Sequence, residues 1–404
     1  MKYITLMTAL LFALTSCQTN KEIIPAKPSD QAYNKEKSKG LQEGSIDVFK
    51  MTVRSEEPNK NVIISPLSIQ YAFGMAANGA SGETKEQILK LMGSNAGTMG
   101  DINNNLKAIQ DKISGQDKDY SVSVSNGIFY DGSKFRISDT YEKVVKDMYR
   151  VSIKKLDFNK VDQSVKTIND WVSANTQQRI TKVLDNINQE EFMFLINTLY
   201  MKAGWDKPFV PEMTHDSKFT TSTKVEKEVP MMSQRGNIAS YTTDDESAIV
   251  MPMSNGRLEA LFIMPNKTDI YNYVSSITAS KIDRMYNEAK VGDIQISLPK
   301  VEMKMHYDLK NILQKMGITD PFNERAKFET MGTASGKILL TRAIHDVFMK
   351  VDEKGMEGAA VTTIGVGTTS MPPSIYFDRP YMMVVRDRAT GTYLFMGKIE
   401  DPTK

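Results

Sequence analysis

The sequence predicts an α+β fold carried by one large domain, and three observations lead there. Helical patterns gather in the first half of the chain and strand patterns in the second. No repeat, second linker or low-complexity tract divides residues 41–404. With 404 residues, 40% hydrophobic and 25% charged, the chain has the apolar content to bury a real core.

From the N-terminus, Met1-Lys2 is followed by an apolar run from Tyr3 to Leu14 and then by Thr15-Ser16-Cys17. One positive charge before a short apolar stretch is the pattern of a signal peptide, too short for a stable membrane-spanning helix. Leu14-Thr15-Ser16-Cys17 resembles a bacterial lipobox, in which the cysteine is lipidated after cleavage and becomes the new N-terminus. The alternative is an ordinary signal peptide cut near Ser16. Cys17 is the chain's single cysteine, so the lipobox reading uses it and leaves the rest of the chain with none. Residues 18–40, rich in Lys, Asn, Gln, Ser and Glu, read as a flexible tether. Residues 1–17 are thus expected to be a leader, 18–40 a tether and 41–404 the folded domain. Membrane contact is expected only through the lipid, at the outer membrane or surface of a Gram-negative cell, with a periplasmic face as the other option.

In the domain itself, Asn61 to Gly93 reads as helical after an initial turn. Pro66 suits a first helical turn, Tyr71, Met75 and Ala76 continue an apolar face, and Ser81-Gly82-Glu83-Thr84 interrupts it. Tyr120–Tyr130 alternates as a strand. Thr167–Ile187, carrying Trp171, reads as an amphipathic helix. Phe192–Tyr200 and Ile338–Val351 are longer strand candidates. Leu258–Phe262, Ile294–Leu298, Tyr381–Arg386 and Tyr393–Lys398 complete the strand-rich second half.

The same sequence excludes several functions. A net charge of +2, with no basic stripe interleaved with aromatics, offers nothing to nucleic acid. One cysteine rules out an internal disulfide framework and a multi-thiolate zinc site. The histidines are His215, His306 and His345, with no metalloprotease His-Glu-x-x-His pair, nucleophile elbow, Walker loop or dinucleotide fingerprint. No metal and no cofactor is expected. A surface hydrolase remains as a distant alternative that the sparse histidines argue against.

Residues 358–371 are odd on physical grounds. They carry no charge in a chain that is one-quarter charged, and they are crowded with small and β-branched residues. That composition suits a strand, and its glycines suit a mobile loop. In strand geometry Met356, Gly358, Ala360, Thr362, Ile364 and Val366 would share one face. An ordinary core strand is the other reading.

The stretch Val351-Asp352-Glu353-Lys354-Gly355-Met356-Glu357-Gly358-Ala359-Ala360 resembles the hinge of the serpins, the serine-protease-inhibitor family. Asn61–Ser68, Asn197–Phe209, Leu298-Pro299-Lys300 and Leu394–Ile399 with Pro402 match further family stretches, so the resemblance covers nearly all of residues 41–404. Together with the lipobox, the chain is most similar to the lipoprotein serpins of Bacteroidota. The resemblance implies a large central mixed sheet with smaller sheets, about eight or nine helices and an exposed reactive loop. It also implies a monomeric suicide inhibitor, not an enzyme. A peptidase attacks the loop, and the cut loop inserts as a new strand while the enzyme stays covalently attached. A non-inhibitory carrier is the alternative within the family.

In that family the cleaved bond follows the fourteenth residue after the hinge glycine, which places it here at Thr369–Ser370, with Gly367 and Thr368 as alternative cleavage positions. A small β-branched residue before the bond favours elastase-like and subtilisin-like peptidases. Val366 before Gly367 suits papain-like cysteine peptidases. The resemblance assigns Glu353, Gly355, Met356, Glu357, Gly358, Ala359 and Ala360 to the hinge. It assigns Ser65, Ser68, Asn197 and His345 to a structural shutter beneath the opening sheet. Met356 stands where inhibitory members usually carry Thr or Ser, and slower insertion is expected from it.

Overall fold

The computed structural model describes residues 33–357 and 372–404. Cys17 and the leader lie outside the described residues, as do Gly358, Ala359, Ala360, Gly367, Thr368, Thr369 and Ser370.

In chain order, α1 (Lys35–Ser55) leads into the short strand β1 (Val62–Ile64), followed by α2 (Pro66–Gly79), α3 (Gly82–Leu89) and α4 (Met99–Ile113). Then come β2 (Gly115–Gln116), β3 (Tyr120–Asp131), β4 (Phe135–Ile137), α5 (Asp139–Tyr149), β5 (Ser152–Leu156) and α6 (Val161–Asn175). The middle of the chain supplies β6 (Met193–Gly204), β7 (His215–Thr220), β8 (Glu226–Thr242), β9 (Glu246–Met253) and β10 (Leu258–Pro265). After α7 (Ile270–Ser276) and α8 (Ala279–Glu288) come β11 (Lys290–Pro299), β12 (Val301–Asp308) and α9 (Leu309–Lys315). The last strands are β13 (Gly332–Ala334), β14 (Ile344–Asp352), β15 (Gly355–Met356), β16 (Ser374–Tyr376), β17 (Tyr381–Asp387) and β18 (Tyr393–Ile399).

These strands form a seven-stranded sheet in the order β12-β14-β15-β6-β3-β2, with β5 beside β3. A nine-stranded sheet runs β1-β18-β17-β10-β9-β8-β11-β16, with β7 beside β8, and β13 and β4 form a small third sheet. Both large sheets are mixed, because β5 and β16 pair in parallel with β3 and β11. The expected α+β class with a large mixed sheet, smaller sheets and about eight or nine helices is what the described residues have, with nine α-helices among them. Helix α2 lies between the sheets and touches β6 of one and β18 of the other. It is buried almost all round, from Leu67 and Tyr71 to Met75 and Ala77, and Ser65 caps its N-terminus by accepting from the Ser68 N–H.

Four expectations about boundaries need correction. The tether does not reach residue 40. Asn34 caps α1, so Lys35 to Gly40 are already helical. Gly40 has a physical reason to be folded, since a Cβ there would sit 2.2 Å from the Ala96 backbone nitrogen. The turn expected at Asn61 is the strand β1, paired along β18. The helix expected to run to Ile187 stops at Asn175, because the Asn169 side chain captures the Val183 and Leu184 N–H groups and folds 176–192 back as a strap. The strand expected from Ile338 begins only at Ile344, and the Leu340 N–H is taken by the Pro321 carbonyl instead of a ladder partner.

Candidate functional site

Three groups of residues meet around the seven-stranded sheet: a two-residue clamp, a strap across one face, and a hydrogen-bonded network beneath the other.

The clamp is β15. Gly355 pairs with Asp352 of β14 and Gly204 of β6, and Met356 pairs with Val351 and Ala203, antiparallel on both sides. The neighbouring strands are therefore held about two ladder spacings apart, or roughly 9.6 Å. Among the described residues, β14 and β6 are not paired with each other below the clamp. A cavity of about 120 Å³ lies toward the lower end of the two strands, lined by Ser68, Phe73, Ile196, Asn197, Leu340 and His345 among others.

Gly355 can be nothing but glycine here. Its φ is +154°, and a Cβ would stand 2.2 Å from the Ala203 carbonyl oxygen. Met356 is fully buried and belongs to the main core. The turn before them is pinned from β6 and beyond. The Trp205 and Phe209 N–H groups donate to the Lys354 and Glu353 carbonyls, and Trp205 Nε1 donates to the Asp352 carbonyl at 2.9 Å. Burial works to raise the Glu353 carboxyl. Its hydrogen bonds, including those from Lys300 and Thr214, outweigh that and hold it below its usual value.

Alternation along β14 puts His345, Val347, Met349 and Val351 on the core face and Asp346, Phe348 and Lys350 on the other. Glu357 lies on that second face. Its N–H donates to the Lys350 carbonyl at 3.2 Å, but its φ is +58°, so the chain leaves the ladder at this residue. The buried carboxylate bonds and ion-pairs with Arg179 of the strap. Burial raises the Glu357 carboxyl above its usual value, with Arg179, Lys202 and Lys350 pulling against it. Arg179 also lies over the Phe348 ring, 5.4 Å from its centroid. The strap's other end is fixed by buried Glu191, which accepts from Thr341 and pairs with Arg342 just before β14. Between these points α6 and the strap pack Leu184 and Ile187 against Phe129 and Phe194 of the sheet.

Beneath the sheet, the Ser65 N–H donates to His345 Nε2 at 3.0 Å. That bond requires Nε2 to be unprotonated, and burial drives the ring's pKa down to about 3. The His345 ring stacks on Tyr307, whose hydroxyl accepts from the Ile63 N–H. Ser68 Oγ donates to Asn197 Oδ1, Asn197 Nδ2 to Asn126 Oδ1 at 2.8 Å, and Asn126 Nδ2 to the Tyr149 carbonyl at 2.7 Å. The four residues assigned to the shutter are thus joined through α2, with His345 on the β14 branch and Asn197 on the β6 branch. Asn126, Tyr307, Arg179 and Glu191 were not singled out from the sequence. Arg179 stands 178 positions from Glu357, and no local pattern links them. Asn126 interrupts an alternating strand and could have been noticed as a polar residue in it.

Among the described residues there is no cluster of three or more potential metal ligands, and no helix is long and apolar enough to cross a membrane.

A sheet whose central strands are spread by the start of a following segment is the architecture of a strand-accepting inhibitor fold. The family described as Serpin (serine protease inhibitor) matches residues 40–402, and the chain belongs to it. It is 28% identical over 355 residues to "Alpha-1-antiproteinase 2" of Equus caballus, covering 87% of this chain and 84% of that one. The structure is similar to the native state of the thermophilic serpin Tengpin, with a TM-score of 0.84 and 26% identity over 92% of this chain and 95% of the other. Human thyroxine-binding globulin in complex with its hormone also matches, with a TM-score of 0.84 and 25% identity over 92% of this chain and all of the other. The matching family is described as one of serine protease inhibitors, and the thyroxine-binding globulin match is a complex with a small hormone carried on the same fold.

Proposed function

We propose that this chain traps peptidases irreversibly, by letting the residues after Met356 enter the seven-stranded sheet as a strand between β14 and β6 once the loop is cut. The observation that carries this reading is the clamp: Gly355 and Met356 already pair with both neighbours in the antiparallel sense that such a strand would extend. Lengthening it by about a dozen residues forms as many backbone pairs, each worth on the order of 1 kcal/mol net. Burial of one apolar face adds to that. The sum rivals the ~5–15 kcal/mol that holds an ordinary domain, so the uncut form is a metastable one. In this reading the Ser65, Ser68, Asn197 and His345 network acts as the shutter that must rearrange as the strands part.

The bait bond is Thr369–Ser370, and cleavage after Gly367 or Thr368 is the secondary choice. The targets are elastase-like and subtilisin-like serine peptidases, and papain-like cysteine peptidases through the Val366-Gly367 pair. Trypsin-like enzymes are poor targets, since no Lys or Arg lies between Lys354 and Arg379. The protein works as a monomer, tethered through lipidated Cys17 at the outer membrane or cell surface.

The test is incubation with elastase and with subtilisin, read on a denaturing gel and by mass spectrometry of the released C-terminal peptide. A complex stable to SDS is expected, with a peptide beginning at Ser370. Clean cleavage without a complex would mark a carrier, and a peptide starting outside about residues 368–371 would sink the assigned bond.

A further inference from the structure

Glu357 is where the hinge stops. The strand pairing of β15 continues one step beyond Met356, through the Glu357 N–H to the Lys350 carbonyl, and then ends. It ends because Glu357 has φ +58°, a left-handed conformation that non-glycine residues adopt at a cost. A continuous strand through this position needs Glu357 extended instead. Something must hold the costly conformation, and Arg179 is the group in place to do so.

The Arg179 guanidinium is fixed from two sides, by the Glu357 carboxylate and by the Phe348 ring under it. The nearby cations offer no substitute of equal reach. Lys350 is drawn to Glu302 at 3.5 Å and Asp352 at 3.8 Å, and only Arg179 makes a direct ion pair with Glu357 among the described residues. Arg179 belongs to the strap after α6, which is anchored again at its far end by Glu191 and Arg342. One ion pair therefore joins the hinge to the segment lying across β6 and β14.

We propose that the Arg179–Glu357 pair is a release latch, which keeps the hinge at Met356 by holding Glu357 out of the strand conformation and sets how readily further insertion begins. This rests on the insertion reading above. Arg179 is a positioning residue in this role, acting through Glu357 and not on the peptidase.

The experiment compares the intact protein with Arg179→Gln, Glu357→Gln, the double variant and Arg179→Lys. Each is held at a fixed elevated temperature while loss of elastase-trapping activity and appearance of an inserted, uncut form on native gels are followed. Each Gln variant is expected to convert about tenfold faster, equivalent to about 1.4 kcal/mol of barrier. The double variant should convert no faster than either single one, and Arg179→Lys should retain most of the slow rate. Rates equal to the unaltered protein, slower rates, or effects that simply add would overturn the latch.

A control separates this from the parent reading. Cleavage of the unaltered protein within its loop should raise its thermal stability sharply. Absence of that rise defeats insertion itself, whereas a rise with unchanged variant rates defeats only the latch.

Discussion

Acid should weaken the uncut protein through one buried ring. His345 holds its pKa at about 3 because burial disfavours the charged form, while the unfolded ring titrates near 6.5. The folded value lies below the unfolded one, so between the two the unfolded chain binds more protons and stability rises with pH. The contribution is complete above about pH 6.5 and is lost as pH falls, at up to about 1.4 kcal/mol per unit. At about pH 4.5 the loss from this group is therefore roughly 2–3 kcal/mol. Protonation would also turn Nε2 from acceptor to donor and break its bond to the Ser65 N–H. Buried carboxyls act in the opposite sense. Asp346, Asp387 and Glu400 are raised by burial, and their contribution is fullest at low pH and fades as pH rises through their folded values.

Comparison with His345→Gln isolates the ring, since every carboxyl is common to both proteins. Glutamine keeps an acceptor but cannot be protonated. Urea unfolding of both, at steps from about pH 7 to about pH 4.5, should show the unaltered protein ahead at neutral pH. Its advantage should shrink by roughly 2–3 kcal/mol at the acid end. Parallel profiles would refute the argument, because they would mean that His345 is as easily protonated folded as unfolded.

Two further outcomes follow from single contacts. Gly355→Ala places a methyl 2.2 Å from the Ala203 oxygen, so the clamp must leave the sheet. The number of inhibitor molecules consumed per elastase trapped should rise several-fold, and an unchanged ratio would mean that the clamp is not needed for insertion. Asn126→Ala strips the Tyr149 carbonyl of the Asn126 donor and leaves Asn197 Nδ2 only the longer bond to the Ser125 carbonyl at 3.5 Å, at a cost of about 1–3 kcal/mol. Urea midpoints read this directly, and a shift too small to measure would show that water replaces the amide.

How much could be read in advance differed by element, for physical reasons. The strands at Tyr120–Tyr130 and Leu258–Phe262 were legible, each one to three residues short of its observed end, because each lies in a sheet with at least one fully buried face, which writes itself as alternation or as an unbroken apolar run. The α6 boundary was not. Val183, Leu184 and Ile187 keep an apolar spacing that resembles a helix face, although they pack against the sheet from an irregular strap fixed by the Asn169 side chain. The start of α1 was hidden for the opposite reason. Lys35, Lys37 and Lys39 look like solvated tether, while Ser38 among them and Gly40 and Leu41 just beyond are buried. The family resemblance singled out the hinge stretch and the four residues assigned to a shutter, and the structure links those four through hydrogen bonds. It could not bring Arg179 into view, because a contact between a strap and a hinge far apart in sequence leaves no local pattern.

Met356 carries the last step. Read as a sequence, methionine at this place is larger than the usual residue and slows its entry into a sheet. In the folded protein it needs no admission, since the side chain is already wholly enclosed between Val351 and Ala203. Methionine is long and unbranched, so it can fill the irregular space under a two-residue strand. Burying a side chain of this size stabilises its position by about 1.5–3 kcal/mol relative to exposure, which a serine could not match. The exchange therefore makes retreat of the hinge costly while leaving its advance governed by the next residue. An inhibitor with no cysteine in its folded domain has no covalent means of fixing the start of its loop, and a buried methionine followed by an ion-paired glutamate does so by packing and charge.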